Sequence, residues 1–250
     1  MPLNNTSMAG ENVSFQRAAL LLGSDAMERI ARKRVIIFGV GGVGSWCAEC
    51  LVRSGISHLT MVDFDRVSPT NINRQLMATT STVGQLKVEV LRQRLSDINP
   101  SADIRALTTP FTEATAHSFD LGSYDYVIDA IDSLADKARL ILMTCETEAR
   151  LFSSMGAALK CDPSRIRVAE FWKVEGDPLA RALRRRFKHW GCFPKRKFLC
   201  VYSDELLANQ DVETAIEERG NGTLVHITAI FGFRLGALLL QDIIGEANPS

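Results

Sequence analysis

The sequence predicts an α/β fold: a Rossmann-like, doubly wound and mostly parallel sheet with a C-terminal, substrate-facing elaboration. Three observations predict it. A β-rich run, Arg34–Phe38 (RVIIF), leads into a glycine turn, Gly39-Val40-Gly41-Gly42-Val43-Gly44, and then into a helical stretch to about Arg53. Short β-rich segments alternate with stretches of helical spacing, the pattern of βαβ units around a parallel sheet. An acidic residue, Asp63, closes the second β-rich run about twenty positions after the turn, where mononucleotide folds place a ribose acceptor.

Taken in order, residues 1–14 are polar, lack an apolar leader core and read as disordered. Residues 15–33 have helical spacing and end in a basic cluster. After the glycine turn and its helix, His58–Val62 (HLTMV) is a second strand, ending in Asp63-Phe64-Asp65. Residues 83–98 predict a helix with Val83, Leu86, Val90, Leu91 and Leu95 on one side. Asp103–Leu107 is a third strand, and Tyr126–Ile128 is the core of a fourth that ends at Asp129. A helix follows over about 134–149, then an apolar run at Leu151–Phe152. There is no internal repeat and no low-complexity tract. Composition shifts near residue 160, so residues 15–160 form the nucleotide-binding region. Residues 161–250 elaborate the same domain with short strands, a basic helix, a polar loop at about 203–222 and a terminal apolar helix.

The chain has 250 residues, 46% of them hydrophobic, enough for one well-packed domain. Lys+Arg and Asp+Glu each number 29, so net charge excludes no class of partner. Cysteines stand at 47, 50, 145, 161, 192 and 200. Cys47, Cys50 and Cys145 fall inside predicted helices, which is no disulfide framework, and a reducing cytoplasm fits best. Residues 224–244 are long and apolar enough to raise the question of a membrane span, but Arg234 sits mid-segment. A central arginine costs roughly 2.5–3.5 kcal/mol on insertion scales. A buried helix, or one at a subunit interface, is the expectation, and no stable span.

Gly39, Gly41 and Gly44 satisfy G-x-G-x-x-G. Glycines let the backbone turn tightly and approach phosphate or ribose, and the following helix N-terminus favours negative charge. Alone, the motif serves NAD as well as ATP. The segment after Asp63 weighs toward ATP. It supplies Asp65, Asn71, Arg74 and Gln75, then Lys87 at the head of a helix, and Asp129-Ala130-Ile131-Asp132 closes the fourth strand. Strand carboxyl ends are where such sheets bind ligands. Arg74 and Lys87 can neutralise a triphosphate and a carboxylate can hold Mg²⁺, which NAD does not need.

In this order, GxGGxG, DxD, NxxRQ, VGxxK and DAxDS resemble the family of ubiquitin-activating enzymes and bacterial adenylyltransferases for sulfur-carrier proteins. The resemblance covers about residues 15–160. It implies that Gly42 lies against the nucleotide and Asp63 holds the ribose. It also implies that Asn71, Arg74 and Lys87 contact phosphates and that Asp132 binds Mg²⁺. Arg17 resembles an arginine passed across a homodimer to the partner's ATP. The stretches YVIDAIDSLADKARLI, DPSRIRVAEF, DPLARALRRRFK and TAIFGF extend the resemblance to the tRNA threonylcarbamoyladenosine dehydratases. These adenylate a carboxylate on a modified adenosine beside the anticodon. The activated acyl group is attacked from within the same side chain, and a ring closes with release of AMP. The resemblance leaves room for a sulfur-relay protein and a monovalent cation.

Particular residues separate the competing functions. An adenylyltransferase for a carrier protein usually carries two CxxC pairs on zinc, and here the only CxxC, Cys47–Cys50, lies in a helix. No structural zinc is expected. A thioester route would need a reactive cysteine near the 203–222 loop, where Cys192 and Cys200 are the neighbours. An NAD oxidoreductase leaves the Asn71–Lys87 set unexplained, and a dead scaffold leaves Arg74, Lys87 and Asp132 unexplained. Residues 181–197 hold eight cations (Arg181, Arg184, Arg185, Arg186, Lys188, Lys195, Arg196, Lys197) and no acid. Twenty-nine cations less these eight leave 21 against 29 acids elsewhere. Phosphate backbones attract such patches, and Phe187, His189, Trp190 and Phe193 are candidates to stack on bases, so the patch is assigned to tRNA. Arg181 is set aside as a partner for Asp177 one turn earlier.

Overall fold

A computed structural model describes residues 13–210 and 220–245. Among these residues, seven strands form one sheet: β1 (Arg34–Phe38), β2 (His58–Val62), β3 (Asp103–Leu107), β4 (Tyr126–Asp129), β5 (Arg150–Ser154), β6 (Ile166–Glu170) and β7 (Leu199–Ser203). Their order is β3-β2-β1-β4-β5-β7-β6. Ile36 is in register with Thr60 of β2 on one side and Val127 of β4 on the other. Every pairing is parallel except β6 with β7. This is the doubly wound α/β architecture. β2 and β3 lie on one side of β1, and the chain then returns to place β4 on the other. The carboxyl ends of β1 and β4 therefore open a crevice at the topological switch point.

The strand sequences follow from burial on both faces. Val35 and Ile37 join one apolar layer, Ile36 and Phe38 the other, and all four are fully buried. The first layer is covered by α2 (Ser24–Arg32), α3 (Gly44–Arg53), α4 (Lys87–Ile98) and α7 (Val225–Gly245). The second is covered by α5 (Leu134–Thr144) and α6 (Pro178–Trp190), with Phe111 and Phe119 edge-on to Phe38.

α7 is long and apolar enough to cross a membrane by length and composition alone. Its Ile227, Phe231, Leu235, Leu239 and Ile243 are fully buried in the first layer, and Arg234 is exposed. Gly232 and Gly236 bring it against α3: a Cβ on Gly232 would stand 2.5 Å from the Val43 carbonyl, and one on Gly236 2.8 Å from Cys50 Sγ. The apolar character thus serves a close helix–helix seam. Residues 161–250 contribute β6, β7, α6 and α7 to the same sheet and layers.

Several boundaries differ from expectation. The segment 15–33 is two helices, α1 (Gln16–Leu22) and α2, separated by Gly23 at φ +81°. α4 begins at Lys87 rather than 83. Residues 83–86 turn through Gly84 (φ +86°) and bridge back to Arg66, which leaves Val83 exposed. α5 ends at Thr144, so Cys145 caps the helix instead of lying within it. Its terminal carbonyls are taken from outside: the Arg196 guanidinium donates to Thr144 O (3.1 Å) and Cys145 O (3.4 Å). Disorder was expected over residues 1–14. Residues 1–12 lie outside the described residues, and Val13–Phe15 form a 3₁₀ turn. Residues 211–219 of the polar loop also lie outside them.

Candidate adenylylation site

The site is built at the crevice. Gly39 follows β1 at φ +84°, a conformation glycine adopts freely. A Cβ there would stand 2.6 Å from the Ala130 carbonyl, so the turn after β1 and the loop after β4 nearly touch. Gly44 opens α3 so close to Gly39 that a Cβ would fall 1.8 Å from the Gly39 carbonyl. Asp63 ties the second strand to this turn, its two carboxylate oxygens accepting the Val40 and Asp65 amides, both at 2.9 Å. Burial raises the Asp63 carboxyl above its usual range, an effect opposed by those two amides and by Lys87. Each oxygen keeps a lone pair for a ribose hydroxyl.

Lys87 is buried, and its Nζ donates to Asp65 Oδ2 at 2.8 Å. Two ammonium protons remain for phosphate oxygens. Arg74 is held through Nη1, which donates to Thr70 O (2.8 Å) and Asn73 Oδ1 (3.0 Å), while its own carbonyl accepts the Trp46 indole (3.1 Å). Burial lowers the Arg74 pKa, yet the guanidinium remains cationic at neutral pH.

The loop after β4 is fixed from below. Asp129 and Lys137 are both fully buried and paired at 2.8 Å. Asp129 also accepts Ser153 Oγ (2.6 Å) and the Ile131 amide (3.2 Å), and Lys137 Nζ donates to Ile131 O (3.0 Å). Asp132 thus stands exposed on a loop anchored by a buried ion pair. One exposed carboxylate at the cleft is the kind of ligand that Mg²⁺ takes, since that ion is held by one or two carboxylates together with substrate phosphates.

These groups line a cleft of about 760 Å³. It brings together Gly39, Gly41, Gly42, Asp63, Asp65, Arg74, Lys87 and Asp132. Three expected residues are not in its wall. Gly44 acts through the turn. Asn71 is buried and its side-chain oxygen accepts the Ser68 amide in a capping box, which engages the oxygen but not the NH₂ that a phosphate would need. Arg17 is exposed on α1. Sequence reading missed the anchoring pair, although a lysine amid the apolar LADKARLILMT of α5 was a visible signal. It also missed the opposite wall, formed by residues 154–160 after β5 and by Asp177, Pro178 and Leu179 at the start of α6.

The basic segment divides. α6 buries Ala180, Leu183 and Phe187, and Arg184 lies beside that seam. Its Nη2 donates to the Phe171 and Val174 carbonyls, both at 2.6 Å, with the guanidinium over the Phe171 ring. Arg196 closes α5 and also donates to Ala149 O (2.8 Å), and Lys195 pairs with exposed Glu146 (2.9 Å). Phe187 is in the core, packed edge-on to Phe171, so it cannot stack on a base. Asp177 caps α6 through the Ala180 amide (2.8 Å) instead of pairing with Arg181. Arg181, Arg185, Lys188, His189, Phe193 and Lys197 are exposed, and Arg186 lies over the Trp190 ring at 5.4 Å. Cys200 is fully buried and burial pushes its thiol well up, the opposite of a nucleophile, whereas Cys192 is exposed. Cys47 and Cys50 lie in α3 against the core.

Comparison with known proteins places this geometry. The chain is 40% identical over 246 residues to the tRNA threonylcarbamoyladenosine dehydratase of Bacillus subtilis, covering 93% of this chain and 95% of that one. It is 37% identical over 236 residues to the dehydratase of Haemophilus influenzae, covering 90% of each. The crystal structure of the Escherichia coli dehydratase TcdA in complex with ATP superimposes with a TM-score of 0.84 at 35% identity, over 94% of this chain and 95% of that one. The ThiF family model matches residues 14–249. With a doubly wound sheet, a glycine turn at its switch point and a match from end to end, the chain belongs to the ThiF family.

Proposed function

We propose that this protein uses ATP to dehydrate threonylcarbamoyladenosine in tRNA, activating the carboxylate as an adenylate and closing a ring with release of AMP. The observation that carries the reading is one cleft containing the glycine turn, Asp63, Arg74, Lys87 and Asp132, in a chain similar over nearly its whole length to dehydratases of that name. Asp63 accepts the ribose hydroxyls, and Gly41 and Gly42 admit the phosphates to the backbone. Arg74 and Lys87 hold the phosphate oxygens where negative charge develops as pyrophosphate leaves. Asp132 would hold Mg²⁺, and the ion would supply positive charge to stabilise the pyrophosphate leaving group. The substrate carboxylate attacks the α-phosphorus, and the mixed anhydride so formed places acyl carbon and internal nucleophile in one molecule. Proximity then supplies much of the second step, and no enzyme nucleophile is required.

In this reading the enzyme works in the cytoplasm as a homodimer, with Arg17 of each subunit reaching the other's ATP. The exposed cations Arg185, Lys188 and Lys197, with Arg186, meet the tRNA backbone. The test is mass spectrometry of tRNA nucleosides from a strain lacking the gene. Loss of the cyclic threonylcarbamoyladenosine, restored by the gene, is expected. An unchanged nucleoside profile would sink the proposal.

A further inference from the structure

The cleft has a second end that adenylylation leaves unused. The glycine turn, Asp63 and Asp132 stand at the ends of β1, β2 and β4. Beyond them the wall is made by Ser154, Met155 and Gly156 after β5 and by Asp177 at the head of α6. Asp177 is 3% exposed. Its Oδ1 accepts the Ala180 amide at 2.8 Å, whereas its buried Oδ2 makes no hydrogen bond of ordinary length, although the Leu179 and Gly156 amides stand near enough to the carboxylate to favour its charge. Lys160, on the same wall and also buried, donates to the Ser203 and Glu205 carbonyls and supplies the positive field that favours the Asp177 carboxylate.

A capping role does not account for this arrangement. Serine or asparagine caps a helix as well as aspartate. Burying a whole carboxylate with one oxygen unsatisfied is costly unless that oxygen has a partner at some point in the working cycle. The chemistry of ring closure calls for such a partner. A threonylcarbamoyl group joins adenosine to threonine through a urea. When the adenylate closes on itself, a new bond forms to the acyl carbon and the acyl–oxygen bond to AMP breaks, its electron pair leaving on the phosphate. Whether the urea oxygen or nitrogen attacks, one urea N–H must give up its proton.

Resting on the function proposed above, we infer that Asp177 is a catalytic residue of the second step: its Oδ2 accepts the urea N–H proton as the ring closes. Burial raises the Asp177 carboxyl above the usual carboxylate range, which brings a weak base closer to working strength at neutral pH. The inference separates the two half-reactions. Adenylylation uses Arg74, Lys87 and Asp132, and closure uses Asp177.

The test is Asp177→Asn and Asp177→Ser, both of which keep a helix cap, with tRNA bearing threonylcarbamoyladenosine. Two rates are followed: tRNA-dependent ATP–pyrophosphate exchange, which reads adenylylation, and single-turnover formation of the cyclic nucleoside. General-base catalysis contributes about 10²–10⁴-fold. Closure should therefore slow by about 100-fold or more in both variants, with exchange at or above the wild-type rate. Closure at the wild-type rate in either variant overturns the inference, and so does parallel loss of exchange and closure, which would make Asp177 a structural cap. Absence of tRNA-dependent exchange in the wild-type protein would instead refute the function on which the inference rests.

Discussion

Replacing Lys137 with methionine tests how the catalytic loop is held. Lys137 and Asp129 are both fully buried, 2.8 Å apart, on adjoining elements of the second layer. Methionine fills the space of the lysine stem but leaves a buried carboxylate without its cation. Removing one member of a buried pair costs about 3–5 kcal/mol, because the remaining charge is uncompensated. Ser153 Oγ and the Ile131 amide still donate to Asp129, which sets the expectation at the lower end, about 3 kcal/mol. At about 2–4 °C per kcal/mol for a chain of this size, the melting temperature should fall by about 6–12 °C. The double variant Asp129→Asn, Lys137→Met should recover much of the loss, since no lone charge remains. Lys137 Nζ also holds the Ile131 carbonyl, so the loop carrying Asp132 loosens and turnover should drop beyond what unfolding explains. Urea denaturation of the four proteins of the cycle measures the first effect. A single-variant loss under about 1 kcal/mol would refute the reasoning, because a solvated pair contributes no more than that.

Four further outcomes are expected. Asp132→Ala should abolish AMP formation with an unchanged melting temperature, because the side chain is exposed; wild-type-like turnover would reject its metal role. Cys192→Ser and Cys200→Ser should both retain turnover, and a complete loss in either folded variant would revive a thioester route. The triple change Arg185→Ala, Arg186→Ala, Lys188→Ala should flatten the slope of log tRNA affinity against log salt by about 2–3 units and leave ATP affinity alone, as filter binding would show. Arg184→Ala should instead lower stability by about 1–3 kcal/mol, because two carbonyls lose their donor.

The half of the site legible in the sequence is the half written in local constraints. RVIIF followed by GVGGVG fixes a strand, a turn and a helix within twenty or so residues, since few other sequences tolerate a backbone that close. Asp63 and Asp132 sit at fixed offsets from strands whose apolar runs were plain. Helix ends were less legible. α5 stops at Thr144 because an arginine more than fifty positions later takes its carbonyls, and nothing near Thr144 announces that. Asn71 reads as a phosphate ligand by position, and the capping box its side-chain oxygen makes with Ser68 was not legible beside that reading.

Charge runs show the same limit from the other side. Eight cations without an acid are conspicuous in one dimension, yet a helix distributes consecutive residues around its whole circumference. Once Leu183 and Phe187 are buried, Arg184 must lie beside the seam, where the carbonyls of residues 171 and 174 need donors. Arg185, a hundred degrees further round, faces water. Identical residues thus have different surroundings, one holding the 171–174 turn in place and the other exposed to solvent. The division extends into the cleft. The same helix that carries the exposed cations is capped by Asp177, so the surface proposed to hold tRNA lies on a thirteen-residue rod with the carboxylate proposed to accept its proton at the N-terminus. Docking of the tRNA along α6 would therefore set the reactive side chain against Asp177 without any intervening hinge. Changes on the exposed face of α6 should accordingly weaken tRNA binding, whereas changes at its N-cap, Asp177, should slow closure once the tRNA is bound.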